Sequence, residues 1–189
     1  DSWEALWDKD LSGQILMFNN SRDAMAIAMQ LCSVTPANCT KEDVDKAAAK
    51  LAEQKPLLKK YVMDQVFTEM ENSQAAIAPY YAGDIATMIE ANPDLDYVLP
   101  KDGSNLFYDA MCIPKCSKNK ENAEKFINFM QKPEVAASTC EYLRYGTPNQ
   151  EAFDSYISDE IKDSELTSPG DDYLDKCYVF TNVPDDVYA

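Results

Sequence analysis

The chain has 189 residues, and 46% of them are hydrophobic, which is enough for a packed core and too much for a disordered tail. Its 17 lysines and arginines against 33 aspartates and glutamates give a net charge of −16, which disfavours nucleic acid and anionic membranes as partners. The lack of histidine removes the commonest general base and zinc ligand, and the 5 glycines are too far apart for a phosphate-binding loop. These exclusions leave a binding or interaction protein that favours a cationic partner, with no catalytic residue, metal site or cofactor predicted.

Cysteine spacing and hydropathy bear on the processing of the chain. A short disulfide between Cys32 and Cys39 and two free thiols are equally compatible with the loop-like stretch that separates them. The other cysteines are predicted to be small buried apolar residues: Cys112, Cys116, Cys140 and Cys177. No run of about 18 apolar residues occurs, and the first residues lack the pattern of a signal peptide. We therefore expect any export signal or lipid anchor to lie outside this sequence.

Hydrophobic periodicity and capping residues predict strands that alternate with helices. The predicted strands are 14–18, 61–63, 75–81, 97–100 and 105–114. The predicted helices are 22–31, 40–53 with a capping box from Thr40 to Asp43, 64–71, 85–90, 117–130, 133–143 and a last one near 171–178. This order is typical of α/β lobes with a largely parallel sheet, whose ligands bind at the carboxyl ends of the strands.

Three predicted strand ends carry acids or amides, and two of them carry aromatics. The pairs are Asn20 with Asp23, Tyr81 with Asp84, and Phe107 with Asp109. Carboxylates accept charge-assisted hydrogen bonds from ammonium groups and aromatic faces attract cations, so this mixture suits a cation site. Asp23 and Asp84 are equally well placed as acids at helix N-termini, and Tyr81 and Phe107 as core or rim aromatics. Composition and spacing leave both interpretations open.

Several strings then occur in a characteristic order. They are 2–7 (SWEALW), 19–23 (NNSRD), 81–84 (YAGD), 100–109 (PKDGSNLFYD), 113–114 (IP), 119–123 (NKENA), 127–130 (INFM) and 145–149 (YGTPN). This series resembles the spermidine/putrescine-binding proteins of ABC transporters. The resemblance covers nearly the whole chain and weakens past about residue 171.

The resemblance implies an α/β fold of the periplasmic-binding-protein-like type II, a two-lobed Venus flytrap that closes on a polyamine. Residues 1–107 and 160–189 look like the second, C-terminal lobe, and 108–159 look like the returning segment of the first, N-terminal lobe. The opening portion of the family has no counterpart in this sequence. We therefore expect an incomplete functional unit.

Together with the strand ends, the resemblance selects the predicted ligand-binding residues Asn20, Asp23, Tyr81, Asp84, Phe107, Asp109 and Tyr145. Asp109 matches a carboxylate that holds an amine of the polyamine. Tyr81 and Phe107 stand where the family often has tryptophan, and Asn20 stands where it often has aspartate. Tyr145 matches a tyrosine that faces the cleft, before a Thr-Pro-Asn turn.

The predicted function is that of a periplasmic or extracellular solute-binding protein, not an enzyme. It would capture spermidine or putrescine and pass it to an ABC permease in the membrane. A second hypothesis is a truncated structural fragment that binds no ligand and self-associates through the apolar faces of helices 118–131 and 133–143. An enzyme would need paired carboxylates such as Asp23 and Asp109, and the sequence supplies no nucleophile for them.

Overall fold

The computed structural model describes residues 1–183 and 187, and this range contains nine α-helices and two β-strands. The helices are α1 (Ser21–Leu31), α2 (Lys41–Gln54), α3 (Gln65–Glu71), α4 (Ala82–Ala91), α5 (Lys120–Met130), α6 (Pro133–Leu143), α7 (Gln150–Ser155), α8 (Asp159–Lys162) and α9 (Asp171–Leu174). The strands are β1 (Ile15–Phe18) and β2 (Leu58–Val62). All the predicted helices are present, although α9 is shorter than predicted. The short helices α7 and α8 are absent from the prediction because they have only 6 and 4 residues, too few to show a period.

β1 and β2 form a parallel pair, as the predicted alternation of strands and helices requires. Phe18 pairs with Val62, and the register is irregular between Ile15 and Leu16. All four residues of β1 are buried, which explains why the strand reads as an uninterrupted apolar run. β1 therefore ends inside the core, and the polar residues that follow it begin α1.

The other three predicted strands are wrong. Segment 75–81 keeps one bridge, from Ile77 to Ile15, and Pro79 further along has no N–H to continue a ladder. Segment 97–100 forms no strand, and segment 105–114 keeps one bridge, from Asn105 to Tyr178. Residues 107–112 are exposed and pair with no strand in the described chain.

The described chain divides into two compact units. Unit 1 comprises Asp1–Tyr81, Thr87–Phe107 and the described residues from Asp171 onward, and unit 2 comprises Ala82–Ala86 and Tyr108–Gly170. The chain leaves unit 1 briefly at Ala82–Ala86 and again after Phe107, and it returns for the last time at Asp171, whereas the predicted lobe boundary is at 160. The assignment of these units to the lobes of a binding protein stays a prediction.

The core of unit 1 joins β1 to α1 and to the N-terminal segment. Its buried side chains are Leu6, Ile15, Met17, Phe18, Ala24 and Ile27. α1 begins with Asn20 as its cap, and α2 begins with the predicted capping box, in which Thr40 and Asp43 exchange hydrogen bonds. The core thereby holds the N-terminus of α1 at the end of β1.

A turn in unit 1 directs the chain toward Phe107. Asp102 Oδ2 accepts hydrogen bonds from the Ser2 hydroxyl at 2.7 Å and the Trp3 backbone N–H at 3.0 Å. Gly103 has φ +85°, and a Cβ there would overlap the carbonyl oxygen of Lys176. Only glycine fits this close approach, which brings the segment after residue 103 alongside residues 176–178.

Unit 2 has a smaller core, formed by α6, α7, α8 and the segment before α8. Its buried residues are Ala137, Cys140, Ala152, Ile157 and Ile161. α5 is amphipathic as predicted, yet none of its residues is buried, and Phe126 is 58% exposed. On α6, Tyr142 is 86% exposed. Large apolar side chains of both helices therefore lie on the surface of unit 2.

The cysteines differ in part from the prediction. All six lie in the described range and are free thiols, so Cys32 and Cys39 are not joined. Cys140 is buried as predicted, whereas Cys177 is half-buried and Cys112 and Cys116 are exposed. Cys112 is exposed because its segment lacks the predicted strand pairing.

A buried carboxylate holds α3 against β2. Glu69 is 6% exposed, and its two oxygens lie 2.7 Å from Lys59 Nζ and 2.5 Å from Lys60 Nζ. The hydrogen bonds from Lys59 and then from Lys60 hold the pKa of the Glu69 carboxyl below its ordinary value of 4.5. A lowered pKa in the folded state means that the charged carboxylate stabilises the fold.

We expect Glu69→Gln to lower Tm at neutral pH because it leaves two lysines without their common counter-ion. The difference in Tm from the unaltered chain should shrink as the pH falls below the ordinary carboxyl range, since the native Glu69 then takes up a proton as well. Thermal unfolding at several pH values measures this. Glu71→Gln on the same helix is the control, and an equal loss of Tm in both variants would contradict the prediction.

Candidate functional site

The first group of predicted residues gathers at the N-terminus of α1. Asn20 is the N-cap, and its Oδ1 accepts a hydrogen bond from the backbone N–H of Arg22 at 3.1 Å. Asp23 lies in the first turn, where the helix dipole stabilises a carboxylate. The prediction of Asp23 as an acid at a helix N-terminus is confirmed, and this position leaves its carboxylate partly exposed.

Tyr81 brings its hydroxyl to the Asp23 carboxylate. Tyr81 Oη donates a hydrogen bond to Asp23 Oδ2 at 2.8 Å, and the Asn20 side chain also hydrogen-bonds the Tyr81 hydroxyl. Among the described residues, no lysine or arginine forms an ion pair with Asp23. The Asp23 carboxylate therefore has a neutral phenol as its hydrogen-bond partner and no ion-pair partner in the described chain.

Aromatic rings surround this hydrogen bond on one side. The Tyr81 ring lies 5.1 Å from the ring of Phe18 and 5.1 Å from that of Tyr80, measured between centroids. Phe107 meets Tyr81 edge to face at 6.0 Å and is 40% exposed. Phe18 is part of the core, so Tyr81 packs directly against the core. Phe107 forms the exposed edge of this group of aromatic rings, which we call the aromatic rim.

The neighbouring phenols stay protonated at physiological pH. Burial raises the pKa of Tyr81 well above its ordinary value of 10.0, and the hydrogen bond to Asp23 and the charge of Asp23 raise it further. Burial also raises the pKa of Tyr178, to which the charge of Asp23 adds. The two phenols are therefore neutral and add no negative charge to that of Asp23.

The second group lies in unit 2, where α4 begins. The ring of Tyr145 covers Gly83 so closely that a Cβ on this glycine would lie 2.5 Å from Tyr145 Cε2. The backbone N–H groups of Gly83 and Asp84 hydrogen-bond the Tyr145 hydroxyl. α4 begins at Ala82, three residues before the prediction, so Asp84 lies in its first turn and is not its cap. A helix start and a phenol are therefore packed together.

Two carboxylates act on the Tyr145 hydroxyl. Burial, followed by the negative charge of Asp84, raises the pKa of Tyr145 to about 12, and Asp109 contributes to the same shift. Asp109 itself is exposed. Unit 2 thus combines one neutral phenol with two acids, at the positions that the sequence selected.

The structure therefore sorts the seven predicted residues into two clusters. The first cluster, in unit 1, consists of Asn20, Asp23, Tyr81 and Phe107. The second cluster, in unit 2, consists of Asp84, Asp109 and Tyr145. Each cluster pairs at least one carboxylate with at least one aromatic side chain.

Tyr178 is a neighbour of the first cluster that the sequence did not indicate. Its backbone N–H donates to the Ser104 carbonyl at 3.0 Å, and its carbonyl accepts from the Leu106 N–H at 2.8 Å. Periodicity places residue 178 at the end of a helix, but α9 ends at Leu174 and the chain then pairs with a segment about 70 residues earlier. A pairing of such long range leaves no local signal in the sequence.

Other kinds of site are not found in the part of the chain that the structure describes. None of its helices is both long and apolar enough to cross a bilayer. Its cysteine and acidic side chains form no group of three or more that could hold a metal ion. Unit 2 has an open surface groove of about 640 Å³, and it contains none of the predicted residues. It is lined by Glu134, Ala137, Ser138, Glu141, Tyr142 and Tyr156.

Comparison with known proteins identifies relatives of the chain. The spermidine/putrescine-binding periplasmic protein of Escherichia coli is 26% identical over 168 residues, which are 89% of this chain and 48% of that protein. A structure assigned as a spermidine/putrescine ABC transporter from Listeria monocytogenes has a TM-score of 0.90 and 37% identity, and the match covers 99% of this chain and 57% of that one. The substrate-binding protein of a spermidine/putrescine ABC transporter from Streptococcus pneumoniae, solved with calcium and HEPES, has a TM-score of 0.82 and 28% identity, covering 99% and 60%.

The chain spans about half the length of the curated relatives it matches. Residues 1–168 match the family described as bacterial extracellular solute-binding proteins, which is most of the chain. The match includes both clusters, and the similar structures are substrate-binding proteins of the periplasmic-binding type. This chain is a member of the bacterial extracellular solute-binding protein family.

Proposed function

We propose that this chain is the polyamine-binding region of an extracytoplasmic solute-binding protein that delivers spermidine or putrescine to an ABC permease. The observation that carries the proposal is the Asp23 carboxylate, which accepts a hydrogen bond from Tyr81, lies beside an aromatic rim and has no cationic partner among the described residues. The names of its relatives point to the same class of ligand.

The chemistry of the first cluster suits an alkylammonium group. One oxygen of Asp23 accepts from Tyr81, and the carboxylate has further lone pairs for an ammonium group. A charge-assisted hydrogen bond of this kind contributes about 1.5–3 kcal/mol, and a cation–π contact about 0.5–2 kcal/mol. Two of each would support micromolar affinity once the entropy of association is subtracted, and the first cluster supplies one of the two carboxylates. Asn20 takes part by holding α1 and Tyr81 in place.

The second cluster offers the same chemistry in unit 2. Asp109 is exposed and would accept an amine, and Asp84 lies beside the phenol of Tyr145. Because that phenol stays neutral, it adds no charge of its own and does not repel a cation. We assign this cluster to amine recognition as well.

In structural terms, we propose a type II binding-protein fold. Residues 1–107 and 160–189 would belong to the C-terminal lobe, and 108–159 would be the returning segment of the N-terminal lobe. The parallel β1–β2 pair supports this fold, and the two compact units agree with these bounds except at 82–86 and 160–170, which lie in unit 2. The periplasmic location named for the relatives supports a location outside the cytoplasm.

Isothermal titration of the chain with putrescine, spermidine and the uncharged 1,4-butanediol tests the proposal. We expect the two amines to bind with micromolar affinity and the diol not to bind, because only the amines carry ammonium groups. Equal indifference to all three compounds would contradict the proposal.

The exposed apolar side chains of α5 and α6, among them Phe126, favour the second candidate, which is self-association without a ligand. The net charge of −16 opposes the approach of two copies. Light scattering decides this point: a monomer mass of 21.2 kDa at micromolar concentration would count against self-association.

A further inference from the structure

The C-terminal segment of unit 1 lies beside the first cluster. We call residues 177–181 the strap. Tyr178 of the strap forms a parallel bridge with Asn105, two residues before Phe107. The Tyr178 ring meets the ring of Phe180 edge to face at 5.5 Å. Backbone pairing therefore places an aromatic side chain of the strap next to the segment that supplies the aromatic rim.

Arg22 holds the far end of the strap. Its guanidinium carbon lies 4.3 Å from the centroid of the Phe180 ring, and its Nη2 donates to the Thr181 carbonyl at 2.6 Å. The Thr181 hydroxyl donates to the carbonyl of Ala37. Arg22 precedes Asp23 in the same helical turn, so one turn of α1 carries both the acid of the cluster and the anchor of the strap.

The guanidinium of Arg22 is directed to the strap and does not pair with Asp23. Neighbouring residues on a helix point about 100° apart, and the cation–π contact and the charged hydrogen bond occupy the guanidinium. Asp23 therefore forms no ion pair with Arg22, although the two are direct neighbours in sequence. The negative charge of Asp23 adds to the effect of burial in raising the pKa of the Tyr178 hydroxyl.

We propose that Tyr178 is a further ligand contact of the first cluster and that Arg22 is the positioning residue that holds it beside Asp23 through the strap. This inference rests on the proposed function. An ammonium group bound to Asp23 would meet the Tyr81 hydroxyl on one side and the face or hydroxyl of Tyr178 on another. Arg22 would not touch the ligand.

The direction in which Arg22→Met changes the affinity for putrescine distinguishes a positioning role of Arg22 from a purely electrostatic one. Arg22→Met removes a positive charge close to a site for cations, so electrostatics alone predicts tighter binding. Loss of the strap anchor predicts weaker binding, because Tyr178 is then free to move away from Asp23. Arg22→Lys keeps a cation over Phe180 and should lose less affinity than Arg22→Met.

Titration of the full chain with putrescine tests the inference, with Tm measured for each variant to confirm that it is folded. We expect Tyr178→Leu to raise Kd about two- to thirtyfold, which is the range of one cation–π contact. We expect Arg22→Met to raise Kd as well, and the double variant to bind no more weakly than Tyr178→Leu, since Arg22 acts through Tyr178. Tyr61→Leu, a 42% exposed tyrosine of β2, is the matched control.

The possible failures are distinguishable. If Asp23→Asn abolishes binding but Tyr178→Leu does not weaken it, Tyr178 is not a contact. If Arg22→Met binds putrescine as tightly as the unaltered chain or more tightly, Arg22 does not position the strap. If the unaltered chain does not bind putrescine, or binds it as well with Asp23→Asn, the proposed function itself is overturned.

Discussion

Asp23→Asn should weaken putrescine binding about ten- to a hundredfold, because it replaces an ammonium–carboxylate hydrogen bond of about 1.5–3 kcal/mol with a neutral one. Asparagine has nearly the same shape and can still accept the hydrogen bond from Tyr81, so the fold should be retained. Isothermal titration measures the change in Kd, and thermal unfolding confirms that the variant is folded.

A matched control separates the local charge from the charge of the whole chain. Glu42 lies in the first turn of α2, as Asp23 lies in that of α1, and Glu42→Gln removes the same single charge from a total of 33 acids. We expect its Kd for putrescine to stay within about twofold of the original, since an exposed charge at a distance is screened by salt. Equal losses in both variants would show that net charge, and not Asp23, attracts the ligand.

Gly83→Ala should strongly destabilise unit 2, by about 1–3 kcal/mol or more. A Cβ at this position would overlap the carbonyl oxygen of Leu143 and press on the ring of Tyr145. The sign is informative, because alanine normally stabilises a helix relative to glycine by about 1 kcal/mol. A fall in Tm would therefore show that Gly83 packs too closely against Leu143 and Tyr145 to admit a Cβ. The variant should also displace the Tyr145 ring from its position beside Asp84.

Gly170→Ala is the control for this substitution. A Cβ at Gly170 has no neighbour within 4 Å, so we expect an unchanged Tm or a small rise from the reduced entropy of the unfolded chain. A rise in Tm for Gly83→Ala as well would mean that α4 does not lie as close to Leu143 and Tyr145 as the structure has it.

The helices could be predicted from the sequence because their signals are local. The exchange of hydrogen bonds between Thr40 and Asp43 needs only four consecutive residues, and the cap at Asn20 needs three. The strands were predicted less well. Segment 105–114 has the composition of a strand, but it forms a single bridge because a strand also needs a partner with a free hydrogen-bonding edge.

The candidate site likewise has parts that depend on local sequence and parts that depend on long-range contacts. Asp23 and Tyr81 could be selected from the sequence, as acid and aromatic at predicted strand ends. Their hydrogen bond could not be derived from those positions, since it joins residues 58 positions apart. Tyr178 was missed because a helix was predicted there, and it reaches the cluster only through backbone pairing with Ser104 and Leu106.

The sequence by itself determined the charge of the protein, the chemistry that it lacks and the capped starts of α1 and α2. A net charge of −16 without histidine is a property of composition, and a helix cap depends on adjacent residues. Only the tertiary structure decided which carboxylate meets which ring and that the guanidinium of Arg22 turns to Phe180 and forms no ion pair with Asp23. The physical reason is that such contacts join distant parts of the chain, and the packing of the core around β1 and α1 selects among them.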